Sequence, residues 1–503
     1  MNFRPGACNG LRGVRAFWLA LALAVPAPGA TQAVPETPAI PAADAPATPA
    51  GGQGGDSADP RAALLAQREA AQQTFLTLSD EQRYEEAATI AAQIIDMTAR
   101  AYGAEALEMA APLTNLATLR MRQGQLIEAE LGYKQAVALI ERHDGPASAR
   151  LINPLVGLGE TYLRGGLYAA SRDAYERALR SNHVEAGFYN LEQIRIMDGL
   201  SEAYLGLDKL AQANLQQRNQ VEIQRRRAGG DSEEVVAALY KLGRWYNRTG
   251  QYMESRAAYQ QARGILRNTR KDDDPAMVDA LVGEAKSYAG EGAMPPSVAT
   301  LKRALSLLDS QPAPDHLKRA EVLVELGDLH MLGRQPRSAR QRYEEAWTEL
   351  TGDAALEAQR DAYFGRAIRI SGGLLPEVVG ADGKERDATP ATQAGLASGM
   401  VLASLTIDAD GDADDVKIIE SDPPGLLDQK VLRALGSATF RPRMADGAAV
   451  PSDEVQFRHE FRYVPATGPA QPVDEPERDV AGDRGERIGY PEQDNAGQSD
   501  TRR

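Results

Sequence analysis

Residues 113–136 read LTNLATLRMRQGQLIEAELGYKQA, and the same succession of leucine, small residue, glycine, small residue, tyrosine and alanine returns every 42 positions. One small-residue column runs Ala87, Ala129, Ser171, Ala213, Ser255, Ser297, Ala339. Four residues on stands a bulkier column of Ala91, Tyr133, Tyr175, Gln217, Tyr259, Leu301 and Tyr343, and three further on one of Ile94, Ala136, Ala178, Gln220, Ala262, Ala304 and Ala346. Upstream, Ala117, Gly159, Ser201, Gly243, Ala285 and Gly327 keep the same phase. They follow Leu116, Leu158, Leu200, Leu242 and Leu326, with Glu284 breaking the leucine column. Self-similarity at one fixed period predicts a solenoid of stacked units.

Leu158, Gly159 and Tyr162 place large, small and large groups on one helical face, and Ser171, Tyr175 and Ala178 do so on a second helix. A small residue lets two helix axes approach, and a tyrosine from the neighbouring helix fills the space beside it. Gly124, Gly166, Gly250 and Gly292 fall between the helices, where a helix C-terminus calls for positive φ. Each hairpin cannot bury its apolar face alone and must stack on the next. Leu113, Asn115, Leu116, Ala117, Gly124, Glu128, Ala129, Tyr133 and Ala136 resemble the tetratricopeptide repeat, in the long-helix variant found in kinesin light chains. That family's usual period is about 34 residues; the excess here is roughly two helical turns per pair. Seven repeats are expected over 61–350, the first and sixth degenerate.

The flanks read differently. Arg4, Arg12 and Arg15 precede an apolar run from Ala16 to Val25, then Pro26, Pro28 and small residues to Ala33, the pattern of a secretory signal over 1–33. The run is too short to cross a bilayer; the competing reading is a retained anchor. Cys8, the chain's one cysteine, lies upstream of it, so the mature chain is expected to lack disulfide and thiol chemistry. Residues 34–60 are an Ala/Pro/Gly linker, and 465–503 an acidic tail without the apolar residues to fold. A net charge of −15 argues against nucleic acid and anionic lipid as general partners.

After a connector over 351–396 the period changes to two. Val401, Ala403, Leu405 and Ile407 mark one face of a strand, a polar turn at Asp410-Gly411 follows, and Val416–Ser421 makes a second strand. Leu427, Val431, Leu432 and Leu435 mark a short helix. Val455, Phe457, His459, Phe461 and Tyr463 alternate with polar residues as a third strand, giving a small α+β unit in the order β-β-α-β. Gly399, Ile407–Gly411, Asp415-Val416, Ile419–Ser421, Leu427-Asp428, Phe440–Pro442, Asp446-Gly447, Val450, Phe457 and Phe461 resemble the C-terminal domain of TonB-family proteins over 397–464. The resemblance implies a periplasmic domain that captures a segment of an outer-membrane receptor by strand addition, driven by an inner-membrane complex. Helical repeats stand where that family carries its long Pro-rich spacer, and of the Tyr-Pro pair that precedes the domain only Pro390 lies nearby.

Candidate chemistry is sparse. Asp408, Asp410, Asp412 and Asp414 alternate, but Ala413 and Ile419 occupy the positions where a calcium loop needs glycine and glutamate, so a hairpin turn is expected. Asp272–Pro275 reads as an inter-repeat turn and helix start. The five histidines show no ligand spacing, and His330 and His459 read as packed residues. Nothing resembles a nucleophile elbow, a phosphate loop or a zinc site; no catalytic residue, metal or cofactor is expected.

Partner binding is expected in two places. The concave face of the repeats should be lined by Thr118, Glu160, Glu202, Arg244, Lys286 and Asp328, then by Met121, Leu163, Leu205, Asn247, Ala289 and Met331. Within it Tyr240, Arg244 and Arg248 make a basic-aromatic spot for a carboxylate or acidic peptide, with Glu202, Asn247 and Lys286 beside it. In the terminal domain Gln456, Arg458, Glu460 and Arg462 should mark a guarded edge strand. The function expected is a non-enzymatic, exported adaptor in the cell envelope, linked to TonB-type transport and binding protein or peptide partners, among them an outer-membrane receptor segment. A membrane-anchored energy transducer is the alternative, requiring an uncleaved signal; an enzyme is the most remote.

Overall fold

The small-residue columns become the seams between helices, and the glycines become their turns. The computed structural model describes residues 59–270, 274–385 and 396–465; the signal segment with Cys8, nearly all of the 34–60 linker, Asp272, Asp273, Pro390 and nearly all of the tail lie outside them. Seven hairpins follow in order: α1 (Pro60–Asp80) with α2 (Tyr84–Tyr102), α3 (Ala110–Arg122) with α4 (Leu126–Asp144), and α5 (Ile152–Arg164) with α6 (Tyr168–Ala186). Then come α7 (Gln193–Gly206) with α8 (Leu210–Ala228), α9 (Glu233–Arg248) with α10 (Tyr252–Thr269), α11 (Val278–Gly290) with α12 (Met294–Asp309), and α13 (His316–Leu332) with α14 (Pro336–Thr351). Gly124, Gly166, Gly250 and Gly292 hold φ between 73° and 79°, and Gln82, Asp208 and Arg334 adopt the same left-handed turn in the remaining repeats, with φ of 57°, 57° and 55°.

The tyrosines lock successive hairpins. The ring of Tyr259 fills the space that a Cβ would need on both Gly243 of its own hairpin and Gly283 of the next, and Tyr175 does the same between Gly159 and Gly199. The serines of the small column seal the hairpin from within: Ser171 Oγ donates to the Gly159 carbonyl at 2.8 Å, Ser255 to Gly243 at 2.9 Å and Ser297 to Ala285 at 2.7 Å. The fourth repeat replaces tyrosine and alanine with Gln217 and Gln220. Both amides donate to Asp198 Oδ1, at 3.2 and 2.8 Å, and Lys241 holds the other oxygen. The repeat is polar at its seam, with Asp198 as the shared acceptor, and the buried Gln220 Oε1 has no partner among the described residues.

A single helix, α15 (Glu357–Phe364), closes the stack by burying Phe364 completely against Tyr343 and Trp347. The terminal domain follows: β1 (Ile368–Ser371), β2 (Val378–Val379), β3 (Ala397–Ile407), β4 (Ala413–Asp422), α16 (Asp428–Gly436), β5 (Thr439–Arg441), β6 (Arg443–Ala445), β7 (Ala448–Val450) and β8 (Ser452–Tyr463). The main sheet has the order β2-β8-β3-β4, with β3 antiparallel to both long neighbours. The alternating residues Val401, Ala403, Leu405 and Ile407 face α16 through Val431 and Leu435, with Phe461 beside them. The expected β-β-α-β order is therefore the frame, to which five short strands are added. β1 and β2 come out of the stretch read as a connector, while β5 to β7 fill the interval between α16 and β8. Strands of two to four residues are too short to carry a period.

The array and the sheet share one core. Tyr343, Phe364 and Leu350 of the last repeat and its cap pack with Ile370 of β1 and Met444 of β6. The described residues up to Val464 form one compact unit.

Candidate functional site

The repeat spot predicted from sequence is largely self-satisfied. Tyr240 is half-buried; its hydroxyl donates to the Ala276 carbonyl at 3.2 Å, and burial raises its pKa. Arg248 lies over the Trp245 ring, 4.7 Å from its centre, and pairs with Glu202. Asn247 accepts from Ser287 Oγ at 2.9 Å, and Lys286 pairs with Glu325 at 2.7 Å. Arg244 is exposed and has no carboxylate partner among the described residues. The second concave column needs correcting in part: Met121, Ala289 and Met331 are buried in the seams between helices, while Leu163, Leu205 and Asn247 are half-buried.

Asp328, expected on the concave face, is covered by the terminal domain. Arg441 of β5 reaches it with two parallel bonds, Nε to Oδ1 at 2.9 Å and Nη2 to Oδ2 at 2.6 Å, both side chains about 95% buried. Tyr343 adds a third bond, its hydroxyl donating to Oδ1 at 2.8 Å. Burial together with this carboxylate pushes the Tyr343 phenol far up. For Arg441, burial alone would weaken proton binding, and Asp328 more than reverses that. Arg441 Nη1 also donates to the Tyr363 carbonyl of α15. Outside this centre, Asp410 in the β3–β4 turn pairs with Arg340 of α14, and Met331 rests against Gly411. The turn itself is held by Asp408, whose Oδ1 accepts from the backbone N–H groups of Asp410 and Asp412, both at 2.9 Å. Asp328, Tyr343 and Asp410 stand out in the sequence within their own modules, whereas Arg340 and Tyr363 carry no sequence signal, and an Asp and an Arg 113 positions apart leave no periodic trace.

Docking in this way leaves a cleft of about 1180 Å³ between the concave ends of α11 and α13 and the outer edge of β8. On that edge the backbone can be followed residue by residue. The Arg462 N–H donates outward to the Glu377 carbonyl at 2.8 Å, and Val464 to Val379 at 3.0 Å. Alternate residues of a strand aim their backbone groups to the same side, so Gln456, Arg458 and Glu460 turn theirs outward too, where β2 no longer follows. Arg462 must therefore be removed from the free-edge set: β2 occupies its rung. Arg458 and Glu460 pair with each other at 2.8 Å on the exposed face. On the opposite face Phe457 is half-buried beneath Arg369, and His459 Nε2 bonds the Pro376 carbonyl at 3.0 Å, with burial lowering its pKa.

Residues 391–463 match the family described as the C-terminal domain of Gram-negative bacterial TonB proteins, and residues 108–182 match the tetratricopeptide repeat. No curated protein matches the chain. Among solved structures, a tetratricopeptide repeat protein from Parabacteroides merdae is 17% identical over 59% of this chain and 98% of its own, with a TM-score of 0.34. BtubC from P. vanneervenii is 19% identical over 52% and 96%, with a TM-score of 0.33. The molecule is thus a tetratricopeptide-type solenoid closed by a TonB-type C-terminal domain, and both families are ones that contact other proteins.

Proposed function

We propose that this protein is an exported adaptor of the bacterial cell envelope that binds a partner segment by strand addition to β8 and serves TonB-type transport. The observation that carries the reading is the outward row of backbone groups at Gln456, Arg458 and Glu460, unpaired among the described residues and opening onto the cleft in a TonB-type domain. Strand addition draws its affinity from such a row. Arg458 and Glu460 guard the edge against indiscriminate pairing without covering it. Export is supported by the arginines and apolar run before Ala33, and among the described residues no helix is long and apolar enough to cross a membrane.

Two measurements test this. Arg458→Pro removes one outward N–H and leaves the β3 ladder intact. It should leave the melting temperature nearly unchanged while abolishing binding of strand-forming receptor peptides in fluorescence anisotropy; undiminished binding would refute edge capture. Intact mass of the protein recovered from cell fractions should give a soluble species beginning near residue 34. A membrane-bound species retaining Met1 would replace the adaptor with an anchored transducer.

A further inference from the structure

The cleft that faces the β8 edge has a charge of its own. The chain carries a net −15, yet three arginines line this cleft with no carboxylate partner among the described residues: Arg366 after α15, Arg369 in β1 and Arg443 in β6. The acidic residues on the solenoid side are already matched. Lys318 takes Asp279 and Glu321 at 3.0 and 2.8 Å, Lys286 takes Glu325, and Arg441 takes Asp328. Glu460 is held by Arg458. Glu377 and Asp453, also in the cleft, stand toward opposite ends of β8, outside the Gln456–Glu460 rungs.

Arg369 is the best placed of the three. Its guanidinium lies 5.7 Å from the centre of the Phe457 ring, on the edge strand itself. Among the described residues its bonds go only to backbone carbonyls, Nη2 to Gly373 at 2.7 Å and Nε to Ser371 at 3.3 Å. Burial weakens its hold on the proton, and nothing opposes that shift; Arg441, more deeply buried, has Asp328 to reverse it. A half-buried guanidinium without a counter-ion, held in place by carbonyls, is a ready receptor for a carboxylate.

Resting on the strand-addition reading, we propose that the cleft selects an acidic peptide, laid as an added strand along Gln456–Glu460 with its carboxylates on Arg369, Arg443 and Arg366. The solenoid wall and the sheet edge then form one binding site that neither module has alone. The backbone rungs supply a sequence-blind grip, and the arginines supply the choice.

The probes are three fluorescein-labelled decapeptides alternating valine with glutamate, glutamine or lysine, titrated into the full chain by anisotropy. The glutamate peptide should bind at least about tenfold tighter than the glutamine peptide, the scale of one charge-assisted hydrogen bond, and the preference should shrink as salt is raised. Arg369→Gln with Arg443→Gln should erase the preference while retaining the weaker binding of the glutamine peptide. The exposed Arg366→Gln, checked alone, should reduce the preference in part whether or not the double variant folds. Equal binding of glutamate and glutamine peptides to the wild type would overturn acid selection and leave strand addition standing. Failure of all three peptides to bind, or acid-selective binding that survives Arg458→Pro unchanged, would overturn both.

Discussion

Glu284 shows how one residue departs from a column without leaving the fold. Its position belongs to Leu116, Leu158, Leu200, Leu242 and Leu326, and it is as buried as the last four of them, 3% exposed. Arg263 of α10 pairs with it at 2.7 Å, yet burial outweighs that pull and raises the carboxyl above its ordinary 4.5. The folded state therefore holds a proton that the unfolded chain has released, and stability falls as pH rises from 4.5 through the raised value. Melting curves of wild type and Glu284→Gln across this range should show the wild type losing ground to the variant as pH increases; parallel curves would contradict it. The glycine turns were legible from spacing because the backbone demand is local. A second set at Gly103, Gly145, Gly187 and Gly229, also 42 apart and all at positive φ, closes α2, α4, α6 and α8 and was open to the same reading. Asp328 belongs to the column expected to line the concave face, but periodicity places a residue on a face and says nothing of what later covers it, here the terminal domain.

Among elements, length decided what the sequence disclosed. The fourteen paired helices and the strands β3, β4 and β8 each carry enough turns or alternations for a pattern to stand above chance. β1, β2 and β5 to β7 do not, and they are the pieces that join sheet to array and take the last rung of the β8 edge. α15 is likewise a lone helix of eight residues whose role is to cap. Terminal units of a solenoid need such a cover because their outer face has no successor. Phe364 supplies it, with Tyr343, Trp347 and Tyr363 around its ring. Phe364→Ala should cost about 3–5 kcal/mol, read as a lowered urea midpoint; a change below about 0.5 kcal/mol, the range of ordinary surface substitutions, would mean that the cap is dispensable.

At the scale of the molecule, the buried pair of Asp328 and Arg441 makes two folds into one body. Removing one partner strands the other charge away from water, so Asp328→Asn should destabilise by about 3–5 kcal/mol, whereas Asp328→Leu with Arg441→Met should recover most of the loss. Thermal melts give the stabilities, and limited proteolysis should cut the 364–368 junction faster in the single variant than in the double; equal stability of wild type and Asp328→Asn would show that the contact holds nothing. The lock also gives the array a direction. Among the described residues the main contacts of the first five hairpins are with other hairpins, while the seventh bears the acid, the tyrosine and the arginine that the sheet requires. Copies can be gained or lost at the far end without disturbing the join, and each would shift whatever the upper groove carries by one hairpin relative to the β8 cleft. The repeats thus form a ruler whose zero is nailed to the sheet and whose length remains adjustable.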